Sequence, residues 1–369
     1  MSETALLALG FRPLYLLAGG YAALSVAFWA LQYAGWLPGA NMFWHAHEML
    51  FGYAFAVIAG FLLTAVRNWS GRSTPTGVAL GGIAALWVVA RVLALYSLPL
   101  AAIADLLFAV AVAVGIGRPL LESGNRRNWF FIALVLALGV ASVAFQAYPR
   151  QGLAVGLDVV LFVMTVVAGR VVPAFTNNAV PGAGARRIAW LEKASLGAVL
   201  LLLVVDLGNS TALLGIVALI AAALHGWRLA LWAPLRTRGR PILWILHLSY
   251  AWIVVHLALR GLAAFDVVPA VLATHALTVG AIGGLTLGMM TRTSRGHTGR
   301  PLATGGVELT AYLLVQAAAV VRVFVPLVSP NSYAATIAVS ALLWSGAFAA
   351  FTVAYFPILS RPRLDGQPG

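Results

Sequence analysis

Apolar runs long enough to cross a bilayer follow one another from one end of the chain to the other, and no polar stretch between them could fold as a separate domain. A crossing takes about 20 predominantly apolar residues in helical form. Inside lipid, only helices and closed barrels satisfy their own backbone groups. Segments of that kind fall near 14–37, 44–66, 77–98, 99–117, 128–148, 152–175, 188–207, 210–232, 242–264, 269–291, 306–328 and 333–359. The expected fold is therefore all-α: a polytopic membrane helix bundle of about 12 transmembrane helices, forming a single transmembrane domain over 1–369. With 62% of the chain apolar and only 9% charged, a soluble core is excluded. The first run is too long for a signal-peptide core and no small-residue cleavage pattern follows it, so the first span is expected to be retained.

The loops set the expected orientation. Sixteen basic residues lie at the two ends of the chain and in the even-numbered loops (Arg12, Arg67, Arg72, Arg118, Arg126, Arg127, Arg186, Arg187, Arg236, Arg238, Arg240, Arg292, Arg295, Arg300, Arg361, Arg363), against Arg150 and Arg260 alone in the odd ones. Basic loops stay in the cytoplasm. Both termini are thus expected to be cytoplasmic, in a bacterial inner membrane whose bilayer is the chain's main partner. The net charge of +13 is scattered between apolar runs and does not form one polar face, so it reads as topology and no nucleic-acid partner is expected. The chain has no cysteine, which leaves His, Met, carboxylate or backbone oxygen to hold any metal.

Topology sorts the seven histidines by depth. His45, His47, His256 and His275 fall near the outer face, His225 and His247 in inner half-spans, and His297 in a cytoplasmic loop. A lone intramembrane histidine is as readily a packing residue as a ligand, but four at one depth favour a metal, and imidazole serves both iron and copper. His45 and His47 are two residues apart and point about 200° from one another on a helix, so one metal does not take both. An inner site on His225 and His247 is the weaker reading, since their neighbours Met289 and Met290 suit packing better than ligation. His297, Asn177 and Asn178 read first as turn or cap residues.

The chain also resembles itself. A shift of 228 positions places His47 on His275, Gly52 on Gly280, Gly60 on Gly288, Gly71 on Gly299 and Arg72 on Arg300. Span two is carried onto span ten in the same direction, relating 44–77 to 272–305 as a parallel duplication would. Three four-helix units with parallel pseudo-repeats then account for twelve spans. Because these matches are mostly of abundant residues, coincidence is the competing explanation.

The stretch WHAHEMLFGYAFAVIAGFLLTAV (44–66), the loop NWSGRSTPTG (68–77), GRVVPAFTNNA (169–179) and GHTGRP (296–301) resemble the NnrS family, with similarity in pattern and order over nearly the whole chain. The resemblance implies a twelve-span bacterial membrane protein carrying haem b and copper, linked to nitric oxide metabolism and tolerance of nitrosative stress. A looser analogy is to haem-copper oxidase subunits, which carry haem ligands near the outer ends of spans two and ten, where His47 and His275 stand. Spans six and seven contain no histidine, so the oxidase binuclear centre is not expected. With haem implied, His47 and His275 become the expected iron ligands, and Arg91 and Arg322 the expected partners of its propionates. An ion pair of Arg91 with Asp105 is an equal alternative. His45, Glu48 and His256 are expected at a copper or behind the haem ligands. The function expected is redox chemistry or handling of a small gaseous or iron-nitrosyl ligand near the periplasmic face. The alternative is a transporter or copper carrier that uses the histidines for transit binding; it fits less well with a midplane made almost wholly of Ala, Leu, Val and Gly. Neither catalytic residues nor a redox partner can be assigned from sequence.

Overall fold

The computed structural model describes residues 5–39, 41–208 and 210–367, and among them there is no strand. Twelve helices follow in order: α1 Phe11–Tyr33, α2 Met42–Ser70, α3 Gly77–Leu93, α4 Leu98–Glu122, α5 Arg126–Ala147, α6 Pro149–Ala179, α7 Ala189–Asp206, α8 Thr211–Leu231, α9 Pro241–Ala264, α10 Ala270–His297, α11 Gly306–Val328 and α12 Pro330–Leu359. Each corresponds to one expected span. Ten are long and apolar enough to cross a membrane. Of the other two, α3 has 17 residues, and the 18 residues of α7 include Glu192, Lys193 and Asp206.

The helices gather into two compact units. The first comprises Met1–Val159, Met290–Leu302 and Phe348–Gly369, and the second Val160–Met289 and Ala303–Ala347. In the first unit the beginning of α1 meets the end of α12: Arg12 is fully buried and donates through Nη1 to the carbonyls of Leu359 (2.9 Å) and Arg361 (2.8 Å). The Leu359 carbonyl ends α12 and that of Arg361 lies just beyond it, and a guanidinium suits the partial negative charge of a helix end. At the same end Leu364 N–H donates to the Thr298 carbonyl at 3.2 Å, and Asn125 Nδ2 donates to the Trp69 carbonyl at 2.8 Å. The chain therefore enters α1, leaves α12 and makes the basic turns after α2, α4 and α10 at one end of this unit. In the exposed tail, hydrogen bonds from Arg363 hold the Asp365 carboxyl at about 2, below the usual carboxylate range.

The suspected repeat has a local backbone counterpart. In α2 the helix widens to π geometry over Glu48–Ala54, immediately after His47; in α10 it does so over Ala276–Gly283, immediately after His275. Residue 48 plus 228 is 276. Each of these helices is followed by a glycine in the left-handed region, Gly71 at φ +65° and Gly299 at φ +72°, where a side chain would be strained. Both helices also pack closely on an earlier span at the equivalent glycine. A Cβ on Gly60 would press on Leu14 and Tyr15, and one on Gly288 on Leu246 and Ile245. Single π turns inside α-helices cluster at functional sites, and here both follow a histidine.

The arginine asymmetry and the shared end of α1 and α12 predict that reporters fused at the C-terminus and within 236–240 read cytoplasm while one near Pro38 reads periplasm. A periplasmic reading at the C-terminus would reverse the depth of every histidine.

Candidate functional site

In the first unit, residues from five helices converge on a buried charge cluster. His47 is fully buried; its Nδ1 lies 2.7 Å from Glu48 Oε1 and its Nε2 lies 3.0 Å from Ser142 Oγ and 3.5 Å from Asp105 Oδ2. Arg91 donates through Nη1 to Glu48 Oε2 at 2.6 Å and through Nη2 to Asp105 Oδ1. The Tyr21 hydroxyl donates to Glu48 Oε2, and Ser142 Oγ donates to Asp105 Oδ2 at 3.0 Å. Two carboxylates face one guanidinium, so the cluster is neutral when His47, Glu48 and Asp105 share one proton. The ion pair of Arg91 with Asp105 is thus present, with Glu48 as a second anion that sequence reasoning had not joined to it. The guanidinium's terminal nitrogens both meet carboxylates, and its Nε is buried without a hydrogen-bond partner. Gly52 lets Arg91 in, since a Cβ there would meet Nη1, and its carbonyl accepts the Trp87 indole N–H at 2.9 Å from the widened turn. His45, one face away, stacks on Trp29 with ring centroids 4.1 Å apart.

His256 and His275, in the second unit, are set differently. His256 is buried and its Nδ1 donates to the Ala273 carbonyl at 2.8 Å, while its Nε2 is buried with no hydrogen-bond partner. His275, two residues beyond Ala273, donates through Nδ1 to the Val271 carbonyl at 2.8 Å. A backbone carbonyl on Nδ1 fixes the tautomer and leaves Nε2 as the basic nitrogen, the usual outer-shell arrangement behind a metal-binding imidazole. α11 packs against this segment. Near its end Arg322, 4% exposed, meets a tyrosine and no carboxylate among the described residues: Nη2 donates to Tyr333 Oη at 3.1 Å, the guanidinium carbon lies 4.9 Å from that ring, and Nη1 is buried without a hydrogen-bond partner. That leaves one donor of the guanidinium unfilled.

Deeper in the second unit, Arg228 is held by Glu192 through Nε (2.9 Å) and Nη2 (2.6 Å), and its Nη1 donates to the Thr165 carbonyl (3.0 Å) and to Tyr250 Oη (2.9 Å). His225 lies 2.6 Å from Tyr250 Oη through Nδ1 and 3.2 Å from the Ser195 carbonyl through Nε2. His247 pairs with Thr176 Oγ1 at 2.9 Å through Nε2. The two inner histidines therefore have separate partners. Among the described residues no group of three or more His, Asp or Glu stands close enough to hold a metal ion. Sequence reasoning missed Tyr21, Ser142, Arg228 and Tyr250; the one available signal was a charged residue, Arg228, inside an apolar span.

The family model for the NnrS protein matches residues 5–363. The chain belongs to the NnrS family. No curated protein matches it. Within this NnrS chain the four stretches singled out by sequence each have a structural role. The HAHE opening supplies the charge cluster, the 68–77 loop contains the left-handed Gly71, and GHTGRP forms the turn against which the tail docks. GRVVPAFTNNA begins with Gly169, where any Cβ would overlap Arg228 Nη2.

Two substitutions test this packing. Arg91→Ala leaves Glu48 and Asp105 buried with no counter-charge and should cost about 3–5 kcal/mol of stability, read as a large fall in the thermal midpoint in detergent. Gly169→Ala should destabilise by at least about 1–3 kcal/mol by displacing a buried guanidinium, whereas alanine at Gly197, which has open space around it, should be silent in the same assay.

Proposed function

We propose that this NnrS chain is a haem-binding membrane protein that handles nitric oxide near its outer face, in nitric oxide metabolism or tolerance of nitrosative stress. The family supports the class. The cofactor reading is carried by one observation: in the second unit a buried imidazole nitrogen and a buried guanidinium nitrogen both have unfilled hydrogen-bonding capacity, on elements packed around the segment holding His275. A haem offers a matching pair of groups, a metal for imidazole and propionates for guanidinium.

The residues fit unevenly. His256, whose buried Nε2 has unfilled capacity, and His275 beside it would hold the metal, and Arg322 would meet a propionate. His47 does not fit iron as it stands, because Ser142 and Asp105 face its Nε2. A haem held in the second unit would supply binding of a small ligand such as nitric oxide. The chain's own contribution is to fix the His275 and His256 tautomers through the Val271 and Ala273 carbonyls, to neutralise a propionate with Arg322, and to exclude water with the apolar faces of α9 and α11.

The test is an optical spectrum of the purified protein. A five-coordinate haem that binds nitric oxide, lost in His275→Ala, weakened in retention in Arg322→Ala and kept in His47→Ala, is the expected result; His256→Ala should lower copper content or tune the haem. A six-coordinate low-spin spectrum abolished by His47→Ala would instead make His47 an axial ligand. If no haem is retained in any preparation, a copper carrier using His256 and His275 becomes the better account.

A further inference from the structure

The cluster of Tyr250, His225, Arg228 and Glu192 plays no part in the proposed haem site, yet its hydrogen bonds are specified more fully than packing requires. The Ser195 carbonyl can only accept, so His225 Nε2 carries a proton and Nδ1 carries a lone pair. Arg228 Nη1 can only donate, so it occupies an acceptor position on Tyr250 Oη. The phenolic hydrogen is therefore directed at His225 Nδ1, 2.6 Å away. Arg228 is matched by Glu192 through two nitrogens, and the exposed Arg187 also reaches Glu192 Oε2 at 3.4 Å. Tyr250 and His225 are both fully buried. The indole of Trp232, also fully buried, lies 4.5 Å from the Tyr250 ring.

A phenol in a low-dielectric site gives up an electron only if its proton leaves at the same time, since a buried phenol radical cation would be an unpaired charge. A base with its lone pair on the O–H is the requirement, and it is met here. We propose that Tyr250 is a redox-active tyrosine: it passes one electron to a lipid-soluble radical oxidant of the nitrogen dioxide class while its phenolic proton moves to His225 Nδ1. The O–H bond breaks and the N–H bond forms. Tyr250 is oxidised to the neutral phenoxyl radical, nitrogen dioxide is reduced to nitrite, and His225 becomes an imidazolium that donates back to the phenoxyl oxygen. The positive charge left behind sits one guanidinium away from the Glu192 carboxylate. The inference does not depend on haem binding and concerns the other end of the second unit's membrane span.

Tyr21 is the obvious competitor, because its hydroxyl also donates to a base, Glu48. That carboxylate is already bound to Arg91 and His47, which makes it a poorer acceptor. The test exposes the full-length protein in vesicles to nitrogen dioxide generated by pulse radiolysis of nitrate, followed by freeze-quenching and electron paramagnetic resonance. A tyrosyl signal is expected, absent in Tyr250→Phe, retained in Tyr21→Phe and reduced at least tenfold in yield in His225→Leu. If Tyr250→Phe fails to fold, the unmodified protein labelled with ¹⁵N-histidine still decides the matter: the radical should show a nitrogen coupling and an exchangeable deuteron from the imidazolium. A signal that survives Tyr250→Phe, is lost in Tyr21→Phe, or lacks any histidine coupling in the labelled protein overturns the proposal.

Discussion

A charge inside hydrocarbon must be met by an opposite charge or by directed dipoles, and this chain solves that problem with two guanidiniums, each gripped from several helices. Arg91 is held between Glu48 and Asp105, and Arg228 is held by Glu192 with a carbonyl and a phenol completing its donors. Replacing either arrangement by one ion pair would leave donors empty, which in a membrane is as costly as in any dry core. The surrounding sequence yields to these demands. Gly52 and Gly169 have no side chain because an arginine lies where it would be, and Ser142 interrupts an apolar helix to reach both His47 and Asp105. Helix positions, the close glycine contacts and the orientation of two histidines follow from seating these two cations.

Against that background Arg322 stands out. Among the described residues it has no carboxylate and meets a tyrosine, on a helix that packs beside His275. Arg91 and Arg228 by contrast are each met by at least one carboxylate.

The helices and their order were legible in the sequence because hydropathy is summed over about 20 residues per crossing, so no single residue decides it. The shift that relates His47 to His275 was legible because histidine is rare, and the helix widens after each of the two residues. The widening itself left no pattern to read, since apolar residues occupy either helical register equally well. Partners across helices were the least legible. Asp105 could be paired with Arg91 because they flank one short loop, whereas Ser142 and Glu192 lie in their own apolar runs and gain a role only when a distant helix is placed against them. His47 shows the limit most clearly, for its depth and its motif point to a metal while the two oxygens facing its Nε2 come from spans that nothing in the sequence brings near.

The first unit is built from three separated stretches, the last of which ends with the carbonyls that receive Arg12. A chain made from its N-terminus therefore inserts its first helix before the two carbonyls that receive Arg12 Nη1 have been synthesised. Until the final span emerges, that nitrogen has not reached its place in the fold. The earliest helix is consequently locked by the latest event in biogenesis, so a ribosome that stops a few residues short releases a protein with every crossing made but the first unit left open at its seam.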